Sequence, residues 1–437
     1  MKTTTVRGHP ATTLVAFPST GIFGVQAALA FAERDELEAL FTTFVFDREG
    51  ALARGLRALP GGRGERLLVE LERRSITALP PHLVEGKPFW EVIRTLADKG
   101  GLGRMRVDRI WDHMSRRFTI AAGQRLRPGM SAVYAYEYSA LEAFAAADRL
   151  GIAKILDFPS LNSRQFQHLQ RAQKEAFPEL AEPLDDYFEA VFEARQARRD
   201  AEMRAADIII TNSTVTRASH IAGGADPERT FAVPCGAPPV VESALRPSGA
   251  GGGPLKVIWA GSFSIGKGAH FFLNAWNQLN AGVAAKADIF GAVRLPDRIW
   301  QPVPHGMTFH GSVVRKTLFA AFQAADVLIF PSLSDGFGMV VTEAFSHGLP
   351  VITTDRAGAS DLVREGENGL VIPAGDEAAI TRALQWCLDN RAQLAGMSAA
   401  ALETARGWQW ADYRKGLYAA VEQGLVRAGK PVAGLRG

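Results

Sequence analysis

An α/β fold of two doubly wound domains follows from three features of the 437-residue sequence. Short apolar runs alternate with helix-like segments through the first half. Glycine-rich loops follow apolar runs in the second half, and a stretch lacking large apolar residues separates the two. Residues 13–17 read as a first strand, followed by a turn over 18–24 and an alanine-rich helix from about Val25 to Arg34. Residues 132–136 and 153–157 read as a parallel pair bridged by a helix over 140–150, and 206–211 and 230–234 complete the set. The run from Arg246 to Pro254 is Pro, Ser, Gly and Ala only in its interior, the composition of a flexible linker. Domains are therefore expected at 1–246 and 255–406, joined by 247–254, with a terminal helix over 407–429.

The richest stretch is FPSLSDGFGMVVTEAF, residues 330–345, which sets Asp335 and Glu343 eight positions apart around Gly336, Phe337 and Gly338. Residues 325–330 read as a buried strand closed by Pro331, and 339–347 as a helix with Glu343 in its first turn. Residues 335–338 then form a strand-to-helix loop, and such loops at the carboxyl ends of parallel strands bind ligands. The glycines let the backbone approach closely, the free N–H groups of a helix start favour anionic or hydroxyl-rich partners, and Glu343 can take two vicinal hydroxyls. A nucleotide sugar fits that chemistry. The upstream run from Gly261 to Gly268 nearly fits a P-loop, but Gly268 stands where a magnesium-holding Ser or Thr is needed, so a kinase or ATPase is set aside. Neither half has the three-glycine dinucleotide fingerprint, and no Cys/His cluster or Asp-x-Asp pair suggests a metal.

Together with VIWAGSFSIGKG at 257–268, DIFG at 288–291, MTFHGSV at 307–313 and EGENGLVIPAGD at 365–376, the Gly-Phe-Gly stretch resembles the family 4 retaining glycosyltransferases of the GT-B fold. The matched motifs run from about Pro254 to Asp376. The resemblance implies two Rossmann-like doubly wound domains facing a central cleft. It also implies that Lys267 holds the donor diphosphate, that Asp335 contacts the sugar, that Glu343 holds the ribose, and that Val313 and Met339 line the base and ribose. Gly261 begins the phosphate loop, and Gly24 corresponds to the N-terminal glycine loop of the family, although an ordinary tight turn accounts for Gly21 and Gly24 equally. The chain departs from the pattern at Ser262, where the family has arginine, and at Asp335, where it has glutamate. Arg294, after 288–291, is the candidate replacement cation. On the acceptor side Asp157, Tyr136 and Glu137 are candidates, each at a strand end. The implied reaction is metal-independent hexosyl transfer from a nucleoside diphosphate sugar, with retention, to an unidentified glycan, lipid or protein. No cofactor is expected beyond that co-substrate. A non-catalytic partner subunit and a nucleotide-sugar epimerase or hydrolase are the alternatives. The tail helix is expected to cross back to the first domain.

Composition sets outer limits. Hydrophobic content of 47% suffices for packed cores, and a net charge of +3 on this length gives no argument for nucleic acid. No run of about 18 apolar residues predicts a transmembrane helix, and the apolar run after the first ten residues is too short for a secretion signal. Two distant cysteines, Cys235 and Cys387, suit a reducing cytoplasm. Residues 104–118 form a basic amphipathic pattern that fits either a half-buried helix with a solvated face or a helix lying on the inner membrane surface.

Overall fold

The computed structural model describes residues 12–58, 63–181, 184–242, 253–279 and 284–430. The linker expected at 247–254 and the first ten residues lie largely outside them. Seven parallel strands form one sheet: β1 (Thr13–Ala16), β2 (Leu37–Thr42), β3 (Val84–Gly86), β4 (Ala132–Tyr136), β5 (Ala153–Phe158), β6 (Ile208–Thr211) and β7 (Thr230–Ala232). Six more form a second: β8 (Leu255–Ala260), β9 (Ala285–Phe290), β10 (Met307–Gly311), β11 (Val327–Phe330), β12 (Val351–Thr354) and β13 (Gly369–Ile372). Strands such as β1, β6, β11 and β12 are buried along their whole length, because helices cover both faces of each sheet. The strand orders are β3-β2-β1-β4-β5-β6-β7 and β10-β9-β8-β11-β12-β13. Each sheet therefore reverses direction once, between β1 and β4 and between β8 and β11. A crevice opens at such a reversal, beyond the carboxyl ends of the strands.

In the first sheet two strands escaped the sequence reading. In β2 Glu38 interrupts the apolar run, and β3 has three residues. The first helix begins at Ile22, so Gly24 belongs to its first turn rather than to a loop. A Cβ on Gly24 would stand 2.5 Å from the Phe17 ring, so the glycine permits close helix-to-strand packing.

Three features join the halves. Helix Trp410–Arg427 returns to the first sheet, where the Tyr418 hydroxyl donates to the Glu36 carboxylate at 2.9 Å and Arg414 donates to the Gln26 amide oxygen at 2.7 Å. The carbonyl of Gly336 accepts from the hydroxyls of Ser213 at 2.7 Å and Thr216 at 2.8 Å. Finally, helices Ser163–Ala176 and Asp185–Ala205 form a hairpin whose tip crosses to the second domain. There Leu180, 1% exposed, joins the core around Trp259 and Phe272, and Phe177 packs edge-on against Phe271 at 5.8 Å. Burying one such leucine contributes about 1.5–3 kcal/mol.

Candidate active site

A cavity of about 390 Å³ lies over both sheet reversals. From the first domain Phe23, Tyr136, Pro159, Ser160 and Asn212 line it. From the second come Ala260, Gly261, Lys267, Phe330, Asp335, Phe337, Gly338, Met339 and Val340. Strand ends thus supply the walls, as the topology requires. Lys267 closes a short 3-10 turn, Ile265–Lys267, that follows the β8 loop, and its ammonium pairs with the Asp335 carboxylate. The Asp335 carboxylate also accepts from the Phe337 N–H at 3.2 Å, which fixes the tight turn into helix Met339–Phe345. The sequence-predicted pair of Lys267 and Asp335 is therefore brought together with Gly261, Phe337, Gly338 and Met339.

Other candidates fall beside or outside this cavity. Glu343 lies in the second turn of its helix, not the first, because that helix begins at Met339. It is 8% exposed, and its carboxylate meets the guanidinium of Arg315, which opens helix Arg315–Ala324. Glu343 lies four positions after Met339, so the two share one helix face. Val313 and Met339 are both half-buried against the same core cluster. Gly336 is buried at the domain contact, where a Cβ would stand 1.9 Å from the Pro159 carbonyl oxygen. Ser262 and Arg294 are exposed. The Arg294 backbone sits beside the loop that follows β8, its N–H donating to Phe263 O at 2.8 Å, but Lys267 is the one cation among the lining residues described.

Asp157 does not reach the cavity. It is 4% exposed beneath the wall, next to Tyr134 and Tyr413, and burial pushes its carboxyl up to about 7. The Tyr134 hydroxyl pulls the other way and the Glu137 charge adds to the rise. A strand-end aspartate whose side chain points into the sheet becomes core, and period alone does not reveal which face that is. Tyr136 lines the cavity, with its ring 4.4 Å from that of Phe17. Glu137 does not. Its carboxylate accepts from the Ser160 hydroxyl and from Arg199 Nε at 2.6 Å.

Helix Asp185–Ala205 builds this wall from below. Its Glu202, fully buried, accepts from the N–H groups of Tyr138 at 2.7 Å, Ala140 at 3.0 Å and Leu141 at 3.1 Å. Burial lifts the Glu202 carboxyl to about 7, although those N–H groups and Arg198 oppose the shift. Tyr138 is held at φ +66°, a left-handed conformation costly for a non-glycine residue, and its ring stacks on Trp111 at 5.0 Å. The sequence reading missed Ser160, Asn212, Arg199 and Arg315 as site residues. Arg199 and Asn212 lie in the run 199–213, which resembles the glycosyltransferase pattern only weakly and singles out neither.

Residues 254–390 match the family model for glycosyl transferases group 1. A D-inositol 3-phosphate glycosyltransferase of Nocardia farcinica is 37% identical over 100 residues, 23% of this chain and 22% of that protein. A phosphatidyl-myo-inositol mannosyltransferase of Mycobacterium leprae is 36% identical over 103 residues, 23% of this chain and 28% of that one. The aligned part thus spans only about a quarter of the curated relatives' length. Over the whole fold, sucrose-phosphate synthase of Thermosynechococcus elongatus superposes with a TM-score of 0.60 at 17% identity, covering 95% of this chain and all of the other. Anabaena Alr3699/HepE in complex with UDP gives 0.57 at 16%, covering 94% and 99%. The chain thus matches the glycosyl transferases group 1 family over residues 254–390, less than half its length, within a two-domain GT-B fold.

Proposed function

We propose that the protein is a retaining, metal-independent glycosyltransferase that moves a hexosyl group from a nucleoside diphosphate sugar to a glycan, lipid-linked or protein acceptor. The observation that carries the reading is the pairing of Lys267 with Asp335 inside a cavity at both sheet reversals. In the free protein each neutralises the other. A donor would exchange that pair for an ion pair of Lys267 with the diphosphate and a hydrogen bond from a sugar hydroxyl to Asp335, so each side chain keeps a partner. As the C1–O bond to the diphosphate breaks, its electron pair stays on the phosphate oxygen, where Lys267 and backbone N–H groups of the Gly261 loop stabilise it. The acceptor oxygen forms its bond to C1 from the same face, and its proton passes to the departing phosphate. Glu343 and Arg315 would serve the ribose end, next to Met339.

Contact with an anionic membrane surface at the cytoplasmic face belongs to the proposal. Phe89, Val92 and Leu96 are 65%, 41% and 65% exposed at helical spacing on Phe89–Lys99, and exposed Leu102, Met105, Arg106 and Arg109 follow. The other half of helix Arg104–Gly123 buries Met114, Phe118 and Ala122.

The test is a panel of UDP-, GDP- and ADP-sugars scored by thermal shift and slow donor hydrolysis, with product configuration read by NMR and repeated in EDTA. A competent pocket gives stabilisation of a few kcal/mol, on the order of RT ln(1 + [L]/Kd), at saturating donor. Failure of every donor to bind would leave the non-catalytic reading. An inverted product or loss of transfer in EDTA would overturn the mechanism.

A further inference from the structure

One polar atom in the cavity wall lacks a partner. Asn212, the residue after β6, is 7% exposed and lines the same cavity as Lys267 and Asp335. Its amide nitrogen donates to the Pro159 carbonyl at 2.6 Å. A carbonyl only accepts, so that bond fixes which end of the amide is oxygen. Among the described residues no donor reaches Asn212 Oδ1. A buried acceptor without a donor is costly and uncommon, and one retained at a cavity wall implies a donor that arrives with the ligand.

The position of Asn212 indicates which part of the ligand supplies that donor. Lys267 and the Gly261 loop attract the diphosphate, and Met339 and the Glu343 face take the nucleoside end. Asn212 belongs to the opposite wall, contributed by the first domain. That wall is preset: the Pro159 carbonyl is held by Asn212, the Ser160 carbonyl by His220 Nε2 at 2.9 Å, and the Ser160 hydroxyl by Glu137. A neutral amide oxygen in a rigid, half-apolar wall suits a neutral hydroxyl donor. It also discriminates sharply, because a ligand lacking the hydroxyl leaves the oxygen unpaired.

We propose that Asn212 Oδ1 accepts a hydrogen bond from a hydroxyl of the transferred sugar, which makes Asn212 a sugar-selecting residue of the donor site. The assignment rests on the glycosyltransferase reading. The test is calorimetry of wild type and Asn212→Ala with UDP-glucose, UDP, GDP-mannose and GDP. Asn212→Ala is expected to bind the intact donor that wild type accepts about 10-fold more weakly, while the matching nucleoside diphosphate stays within about twofold. Retention of the diphosphate also reports a folded cleft. Wild-type affinity of Asn212→Ala for the donor overturns the assignment. Equal losses for donor and diphosphate overturn it too, since the amide would then serve only the Pro159 wall. Wild type that binds the diphosphate yet gains nothing from the sugar leaves the nucleotide site standing and sinks the Asn212 role, whereas wild type that binds none of the four probes sinks both readings.

Discussion

Gly336→Ala tests whether closure of the two domains is part of donor binding. The glycine does not occupy left-handed backbone, so alanine adds no conformational strain and acts through space alone. Its Cβ would stand 1.9 Å from Pro159 O, and reaching ordinary contact at 3.4 Å parts the loops by about 1.5 Å. Overpacking of this kind costs about 1–3 kcal/mol, and weakening the Ser213 and Thr216 bonds to the Gly336 carbonyl adds about 0.5–1.5 kcal/mol each. A total of about 2–6 kcal/mol, drawn from the closed state, corresponds to roughly 30- to 20,000-fold in affinity for a ligand that needs both walls. A nucleoside diphosphate, held from the second domain, should lose far less. Calorimetry with donor and diphosphate measures both numbers. Gly396→Ala is the control: it lies on an exposed helical site with no atom near its Cβ and should stabilise by about 0.5–1 kcal/mol without altering binding. Donor affinity at the wild-type level in Gly336→Ala would refute the closure argument.

Four further outcomes follow from the site. Lys267→Ala should weaken nucleoside diphosphate binding about 10-fold or more and spare the unphosphorylated nucleoside, whereas Arg294→Ala, outside the cavity lining, should bind both as wild type does; titrations of the two ligands decide this. Asp335→Ala should weaken the intact donor and leave the diphosphate nearly unchanged, and equal losses would move that carboxylate off the sugar. Glu343→Ala should cost about 1.5–3 kcal/mol of nucleotide affinity, with unchanged binding in a folded variant removing the ribose role. Because the folded-state carboxyl of Asp157 lies near 7 and its ordinary value is 3.8, the native state holds its proton more tightly, so stability falls as pH rises across that window. Denaturant melts at pH 4 and pH 8 should show Asp157→Asn gaining on wild type by roughly 2–4 kcal/mol over that range, and a constant difference would contradict a buried, proton-binding Asp157.

The second half of the fold was legible because its signals are local. An apolar run, a proline and Gly-Phe-Gly within sixteen residues specify a strand, a turn and a helix start, and the Lys267–Asp335 pair follows from two such loops meeting. The wall from the first domain left no comparable trace. Arg199 and Glu202 reach Glu137 and Tyr138 from more than sixty residues away, so their pairing is a property of the folded chain. Asn212 reads as an ordinary turn residue until its amide is seen with one end tied and the other free. Gly24 shows the limit in miniature. A glycine permits either a turn or a close approach, and only the Phe17 ring, seven residues earlier in the chain, tells which is used.

The helical hairpin gives the cleft a mechanical character. Its tip is seated in the second domain through Phe177 and Leu180, while its two legs begin and end at the wall of the first domain. The leading leg starts just beyond Ser160, and the returning leg carries the carboxylate that grips the Tyr138 turn. Any rotation of the second domain must either unseat the tip or drag both legs with it. The hairpin is thus a connecting rod: travel of the second domain is delivered as displacement at Ser160 and Tyr138, the two places where the opposite wall is set.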